Sequence, residues 1–304
     1  MPGRAKTYVG GRPDLPATVV GVGEHGGRAQ LPVTWAPPPD GAYDRAGVKT
    51  LPGVAEVVDG TTVEATVRVQ VTEPVPANVA PDENVAVGAT FTESGYSPER
   101  VRNGDRTDKA WSNWKPGTKN PADTLTFTLP GQRDLTRVVT YFYRDGDNIS
   151  FPESLKLQVQ RADGGWVDAS GDVPVGTEGS PVIDLPVPAA AAAATGVRVV
   201  MSARPEGYMT VSEIEVYAKA PGVSSDASAA SIEVDGVPLA EFDPDKMSYE
   251  VSGDPRTSAV TATPADPYAT VVIHPDERTD RTVLVTVKGE DGAQTRDYRV
   301  TFAR

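Results

Sequence analysis

The chain of 304 residues carries 29 Lys and Arg against 42 Asp and Glu, a formal net charge of −13, with 29 Gly, 28 Pro and no cysteine. A field of that sign repels phosphate backbones and anionic lipid, which argues against a nucleic-acid partner; the absence of cysteine removes disulfides, thiolate zinc sites and cysteine nucleophiles. No run of about 18 apolar residues is present to insert into a membrane, and the opening MPGRAKTYVGG lacks the apolar core of a signal peptide. The expectation is a monomeric, extracellular fragment whose export signal lies outside this sequence.

Strand-like alternation begins at residues 15–22 (LPATVVGV) and returns at 28–35 (RAQLPVTW), with a hairpin tip expected at 24–27. Trp35, closing its strand, reads as a buried plug. Strict alternation over 62–71 sets Val63, Ala65, Val67, Val69 and Val71 on one face, which is read as core. The stretches LPATV, LPVTW and AGVKTLPGVAEVVDGTTVEATVRV resemble the group 4 bacterial immunoglobulin-like domains. That resemblance implies a β-sandwich spacer over 1–73, without a site of its own.

Residues 72–84 (TEPVPANVAPDEN) combine three prolines with no alternation and are expected to form a stiff linker. Strands are expected beyond it at 123–129, 136–143, 154–160, 196–202 and 210–217, joined by long connections where function should sit. The alanine run 189–194 reads as a short solvated turn. A second boundary falls in the small, polar stretch 219–230 (KAPGVSSDASAA), after which strands and turns recur at sandwich spacing, with GEDG at 289–292 the tightest hairpin signal. SIEVDGVPL, FDPDKMSYEV and VTVKGEDGAQTRDYRVTF look like the cadherin-like β-sandwich domains, implying such a domain over 226–304. Tyr249 and Tyr298 are expected in its core with tethered hydroxyls. The fold class is therefore all-β, as three consecutive β-sandwich domains.

Chemistry concentrates in the middle segment. Residues 101–117 (VRNGDRTDKAWSNWKPG) hold two of the four tryptophans and an Asn-Gly-Asp turn, whose carbonyls and carboxylate suit a hard cation. Trp111 reads as core. Trp114, before Lys115 and Pro116, reads as exposed and able to stack on the C–H face of a sugar ring. The loop 141–151 offers Arg144, Asp147 and Asn148 beside Asp145, and the loop 202–209 offers Arg204 and Tyr208. Planar groups of these types bind vicinal hydroxyls in pairs. Taken singly each also reads as a solvated surface residue; convergence at one end of a sandwich would make them a carbohydrate-binding site.

From NVAVGATFTES through the VRNGDRTDKAWSNW loop, DTLTFTLP, FPESLKLQVQRADGGWVDAS and VRVVMS to VSEIEVYAK, residues 78–219 resemble the discoidin or coagulation-factor C-terminal type. That group includes the family 32 carbohydrate-binding modules. The resemblance implies a galactose-binding-like jelly roll and a structural calcium held by Asp105, the carbonyls of Asn103 and Ala110, and the carboxylate of Glu213. The chain departs from the family pattern in placing Lys109 where a Thr is usual, and in an apparent insertion between Asn103 and Trp111. The alternative is that Asp105 caps the turn and Glu213 pairs with an arginine.

No GxSxG elbow, HExxH or phosphate-binding loop is present, and His25 and His274 belong to no triad or metal arrangement. The domain order looks like the non-catalytic region of a large actinobacterial glycoside hydrolase, such as a family 2 β-galactosidase or an arabinofuranosidase. It implies binding of galactosyl or arabinosyl glycans on behalf of a catalytic domain elsewhere in the parent chain. The alternatives are a structural stalk without ligand, or a protein adhesion module.

Overall fold

The computed structural model describes residues 3–23, 26–58, 60–276 and 281–303. Regular structure is almost entirely β, with two short 3-10 turns at Pro98–Arg102 and Ala189–Ala191, as the composition requires. No helix among the described residues is long and apolar enough to cross a membrane. The chain divides into two compact units, Met1–Pro74 with Pro221–Arg304, and Val75–Ala220.

The first unit contains two separate cores. One lies under a five-stranded sheet ordered Gly3–Tyr8, Thr62–Thr72, Gly47–Glu56, Arg28–Trp35, Thr18–Val22. Along Thr62–Thr72, Val67, Val69 and Val71 are buried, but Val63 is 46% exposed, against expectation. Among the described residues, the parallel partner Gly3–Tyr8 lies opposite Val67–Thr72, the buried part of the strand. Trp35 is half-buried; its indole N–H donates to the Pro16 carbonyl at 2.8 Å. Gly53 is required beneath its ring, because a Cβ there would stand 2.4 Å from Trp35 Cε3.

The second core is enclosed by the sheet Val237–Pro238, Ala229–Val234, Val260–Pro264 and the sheet Ser248–Val251, Thr295–Phe302, Thr282–Lys288, Thr270–Pro275. Tyr298 and Tyr249 are buried there with tethered hydroxyls. Tyr298 donates to the Pro244 carbonyl at 2.9 Å and Tyr249 to the Asp243 carbonyl at 2.7 Å, which satisfies a polar tip that burial would otherwise penalise. His274 is exposed at the end of its strand. Glu24 and His25 of the expected hairpin tip lie outside the described residues.

The second unit is a ten-stranded arrangement whose main path runs Trp166–Asp168, Ser154–Gln160, Ala193–Ser202, Ala122–Phe142, Thr210–Pro221, Pro74–Asn78. Where two strands were expected at 123–129 and 136–143, one continuous strand, Ala122–Phe142, runs through Pro130 and Gly131. Its first half pairs with Ala193–Ser202 and its second with Thr210–Pro221. The strand changes partners between these halves, so the missing N–H of Pro130 interrupts no continuous ladder. Residues of both halves, from Leu125 and Phe127 to Val138 and Phe142, enter one core with Trp111.

Two connections differ from expectation. Part of the expected linker, Pro74–Asn78, is an edge strand of this unit, pinned where Asn78 Oδ1 accepts from the Val216 amide at 3.1 Å. In the alanine run, Ala191 and Ala194 are buried rather than solvated, since the strand Ala193–Ser202 begins there against Asp134 and Arg133.

Candidate functional site

Three loops of the second unit are fastened to one short segment of backbone. The Ala110 amide donates to the Val211 carbonyl at 3.1 Å, that of Asn113 to Met209 at 3.1 Å, and that of Tyr143 to Thr210 at 3.3 Å. The 103–110 loop, the turn after Trp111–Ser112 and the 143–150 loop therefore meet beside the loop 203–209.

Where they meet, four elements each contribute to a polar cluster. Lys109 Nζ donates to Asp145 Oδ2 at 2.7 Å and lies 3.7 Å from Glu93 Oε2. Tyr208 donates its hydroxyl to the same Asp145 oxygen at 3.1 Å. Tyr96 offers its ring to the Lys109 ammonium, 5.2 Å from the centroid, a cation–π arrangement.

The local sequence explains why Asp145 sits still. In YRDGDN, Gly146 takes a positive φ of 63°, which glycine adopts without strain. Asn148 closes the turn by donating from its backbone and side-chain nitrogens to the Asp145 carbonyl, at 3.2 and 2.8 Å. Ser150 Oγ accepts from the Asp145 amide at 3.0 Å.

The charges are mutually compensated. Hydrogen bonding from Lys109 holds the Asp145 carboxyl below its ordinary pKa against the opposing effect of burial, with Tyr208 helping. Burial acts against the Lys109 ammonium, but the hydrogen bond and charge of Asp145, together with Glu93, raise it overall. Burial, reinforced by Asp145, pushes the Tyr208 hydroxyl up to about 12, so it stays a donor at neutral pH. Glu93 Oε2 is buried and accepts no hydrogen bond among the described residues. The cluster thus presents an ammonium, carboxylates and a phenol within one patch, a donor and acceptor set suited to sugar hydroxyls.

The other residues expected to bind sugar are placed differently. Trp114 is 42% exposed, with Lys119 Nζ 4.9 Å from its ring centroid, whereas Trp111 is fully buried and donates to Thr92 Oγ1 at 3.1 Å. The Arg144 guanidinium turns inward: it donates to the Gly179 carbonyl at 2.7 Å and to that of Thr177, over the Phe151 ring. Arg204 donates to the Val175 carbonyl at 2.6 Å and borders a separate cleft of about 620 Å³ with Lys119, Asn120, Glu153 and Glu206. Asp147 lies on the exposed tip of its turn, while Asn148 closes that turn. The structure therefore groups Tyr208 with Asp145 and Lys109, and gives both arginines internal partners.

Glu93 and Tyr96 were not legible as site residues, because their partners lie far along the chain. Lys109 did carry a signal, as the departure from the Thr usual at its position.

The expected calcium residues occupy a second polar region. Glu213 is buried at 1% exposure and its Oε2 accepts from the Gly104 amide at 3.2 Å. Burial chiefly, with the charges of Glu215 and Asp108 adding to it, pushes its carboxyl up to about 7. Asp105 Oδ1 instead accepts from the Thr107 amide and hydroxyl at 2.8 and 2.7 Å, and its side chain is exposed. The Asn103 side chain bonds within the loop, to Asp108 Oδ2 at 3.1 Å and the Asp105 amide at 2.8 Å. Ala110 is buried. Asp108 Oδ1 is buried without a hydrogen-bond partner. Asp108 Oδ2 is already paired with Arg100 at 3.0 Å, so the free Asp108 Oδ1 and the Glu213 carboxylate are the oxygens that fit a hard cation, with others still to come from loop carbonyls. No group of three or more His, Cys, Asp or Glu is positioned for a metal among the described residues. The arginine expected as the alternative partner of Glu213 goes to its neighbour: Arg106 Nε donates to Glu215 Oε1 at 3.0 Å.

No family model matches the chain. It is 29% identical over 251 residues to the exo-beta-1,6-galactobiohydrolase of Bifidobacterium longum subsp. longum. That stretch covers 74% of this chain and 16% of the relative's length. Among solved structures, it is similar to the family 32 carbohydrate-binding module of Clostridium perfringens NanJ in complex with galactose, with a TM-score of 0.39 and 14% identity over 47% of this chain and 99% of that one. It is also similar to a further C. perfringens module in complex with GalNAc-beta-1,3-galactose, with a TM-score of 0.38 and 16% identity over 45% of this chain and 97% of that one. For a chitosan-binding module from Paenibacillus sp. IK-5 the TM-score is 0.36 and the identity 20%, over 46% of this chain and 98% of that one.

Proposed function

We propose that the chain is a non-catalytic carbohydrate-binding and spacer region of a secreted glycoside hydrolase. In this reading the second unit binds galactose- or arabinose-containing glycans and tethers a catalytic domain of the parent protein to them, which raises local substrate concentration without adding chemistry. The observation that carries the reading is the cluster of Lys109, Asp145 and Tyr208, on loops held to the same backbone segment as the chain turn that exposes Trp114. The name of the B. longum relative supports galactosyl over arabinosyl glycans.

In the same reading Glu213, with Asp108 and carbonyls of the 103–110 loop, holds a structural calcium. The ion would neutralise carboxylates that the fold leaves close together, and it has no part in any reaction.

A second reading, a spacer whose jelly roll has no ligand, is favoured by one observation: the guanidiniums of Arg144 and Arg204 are both bonded to backbone carbonyls of their own unit. A glycan array probed with the full chain, with calcium and with EDTA, separates the two. Binding to galactosyl glycans that is lost in Tyr208→Phe and Trp114→Ala supports the first. A folded, calcium-replete chain that binds nothing on the array supports the second.

A further inference from the structure

The first unit joins the two ends of the chain, and its two cores are separate. Among the described residues, several polar contacts run from one part to the other. The strand Gly3–Tyr8 supplies Lys6, whose Nζ lies 2.5 Å from both carboxylate oxygens of Glu290. Glu290 belongs to the GEDG hairpin tip at 289–292, between the strands Thr282–Lys288 and Thr295–Phe302. Both side chains are largely withdrawn from water, at 17% and 20% exposure.

The same carboxylate also accepts from the backbone amide of Ser224 at 3.1 Å, within the small, polar stretch that leads into the C-terminal sheets. The Asp291 amide returns a bond to the Ser224 carbonyl at 3.1 Å. Packing there is close enough that a Cβ on Gly289 would meet the Ser225 carbonyl oxygen at 2.7 Å. Glycine is thus needed for the close approach of two backbones, and its φ is not in the positive region.

A second set of contacts lies alongside. Arg68, on Thr62–Thr72, donates to the Ala265 carbonyl at 2.5 Å. Arg4 and Lys6 approach the Tyr268 ring, 5.1 and 5.2 Å from its centroid. Basic groups from the N-terminal sheet (Arg4, Lys6, Arg68) thus meet a carboxylate, a carbonyl and an aromatic face from the C-terminal part.

We propose that the GEDG tip is an intramolecular latch. Glu290 gathers Lys6 and the 224–225 backbone at one point and makes the N-terminal and C-terminal sandwiches a single body. The small, polar stretch before Ala229–Val234 is held at Ser224 and Ser225. The partner that this surface fits is the chain's own first strand, and the chemistry of recognition is a carboxylate shared between an ammonium and an amide.

The chain has no native cysteine, so the distance across the latch can be measured in the full chain with spin labels on Val63→Cys and Val272→Cys, both exposed positions. The latch predicts one narrow distance distribution that broadens at least twofold in Lys6→Glu and in Glu290→Ala, and stays narrow in Lys6→Arg. A broad distribution in the unaltered background, or a narrow one that survives both Lys6→Glu and Glu290→Ala, overturns it. Should Lys6→Glu fail to fold, Lys6→Met makes the same test without placing two carboxylates together, and a narrow distribution there is equally contrary.

Discussion

Asp145 and Glu213 are two carboxylates of the same unit with opposite electrostatic treatment. Asp145 has an ammonium and a phenol on one oxygen and titrates below its ordinary range. Glu213 is more deeply buried, receives backbone hydrogen bonds only, faces Glu215 and Asp108, and titrates near 7. Desolvation penalises the charged form of both; a counter-charge reverses the result only for the first. A compensated carboxylate stays charged at neutral pH without a further partner. An uncompensated one stores a cost that protonation or a cation relieves.

The largest effect should come from Glu213. Its folded-state value lies above its unfolded value, so its contribution to stability is fully present below about 4.5 and is lost as pH rises through about 7. At about 1.4 kcal/mol per pKa unit, roughly 3 kcal/mol is at stake. Thermal unfolding of the Val75–Ala220 unit in EDTA should weaken between pH 5 and pH 8, and Glu213→Gln should flatten that dependence. Calcium should raise the midpoint at pH 8 in the unaltered chain and leave Glu213→Gln unmoved; an equal rise in both would place the ion elsewhere.

Next in size, Lys109→Met removes the charge that compensates Asp145. A loss of roughly 2 kcal/mol is expected, within the range for hydrogen bonds to charged groups, together with at least tenfold weaker glycan binding. The double variant with Asp145→Asn should recover much of the stability and none of the binding, a separation that urea unfolding and titration can read together.

Smaller again, Tyr208→Phe deletes one hydrogen bond to Asp145 at a cost of about 1 kcal/mol, leaves Lys109 in place, and reduces binding. The least effect on stability belongs to Trp114→Ala. A side chain 42% exposed should cost no more than about 0.5 kcal/mol at the surface, while binding falls at least tenfold. If Trp114→Ala instead unfolds the unit, the indole is structural and the stacking role fails.

How much of this was legible in the sequence follows from range. Most strands of the second unit follow from alternation and exposed Trp114 from Lys115 and Pro116, within a few residues of the signal, whereas buried Trp111 was read from the family resemblance. Tyr249 and Tyr298 are likewise readable as core because their strands alternate. Val63 was misread, because alternation assigns a residue to a face but not to the part of the strand that is covered. The partners of Lys109 lie 16 and 36 residues away, at Glu93 and Asp145, so no local pattern announces the cluster. Arg144 and Arg204 have the composition of sugar ligands, but only the fold reveals that carbonyls at Thr177, Gly179 and Val175 claim them. The GEDG tip was plain as a hairpin; its contact with Lys6, 284 residues away, was not.

The most direct test of the glycan-binding account is calorimetric titration of the full chain with a galactosyl oligosaccharide in calcium, beside Trp114→Ala and Tyr208→Phe. The account predicts saturable binding with one site per chain, weakened at least tenfold in both variants while their folding midpoints stay close to the parent's. Saturable binding that both variants retain undiminished would contradict it, as would no heat of binding from a folded, calcium-loaded chain.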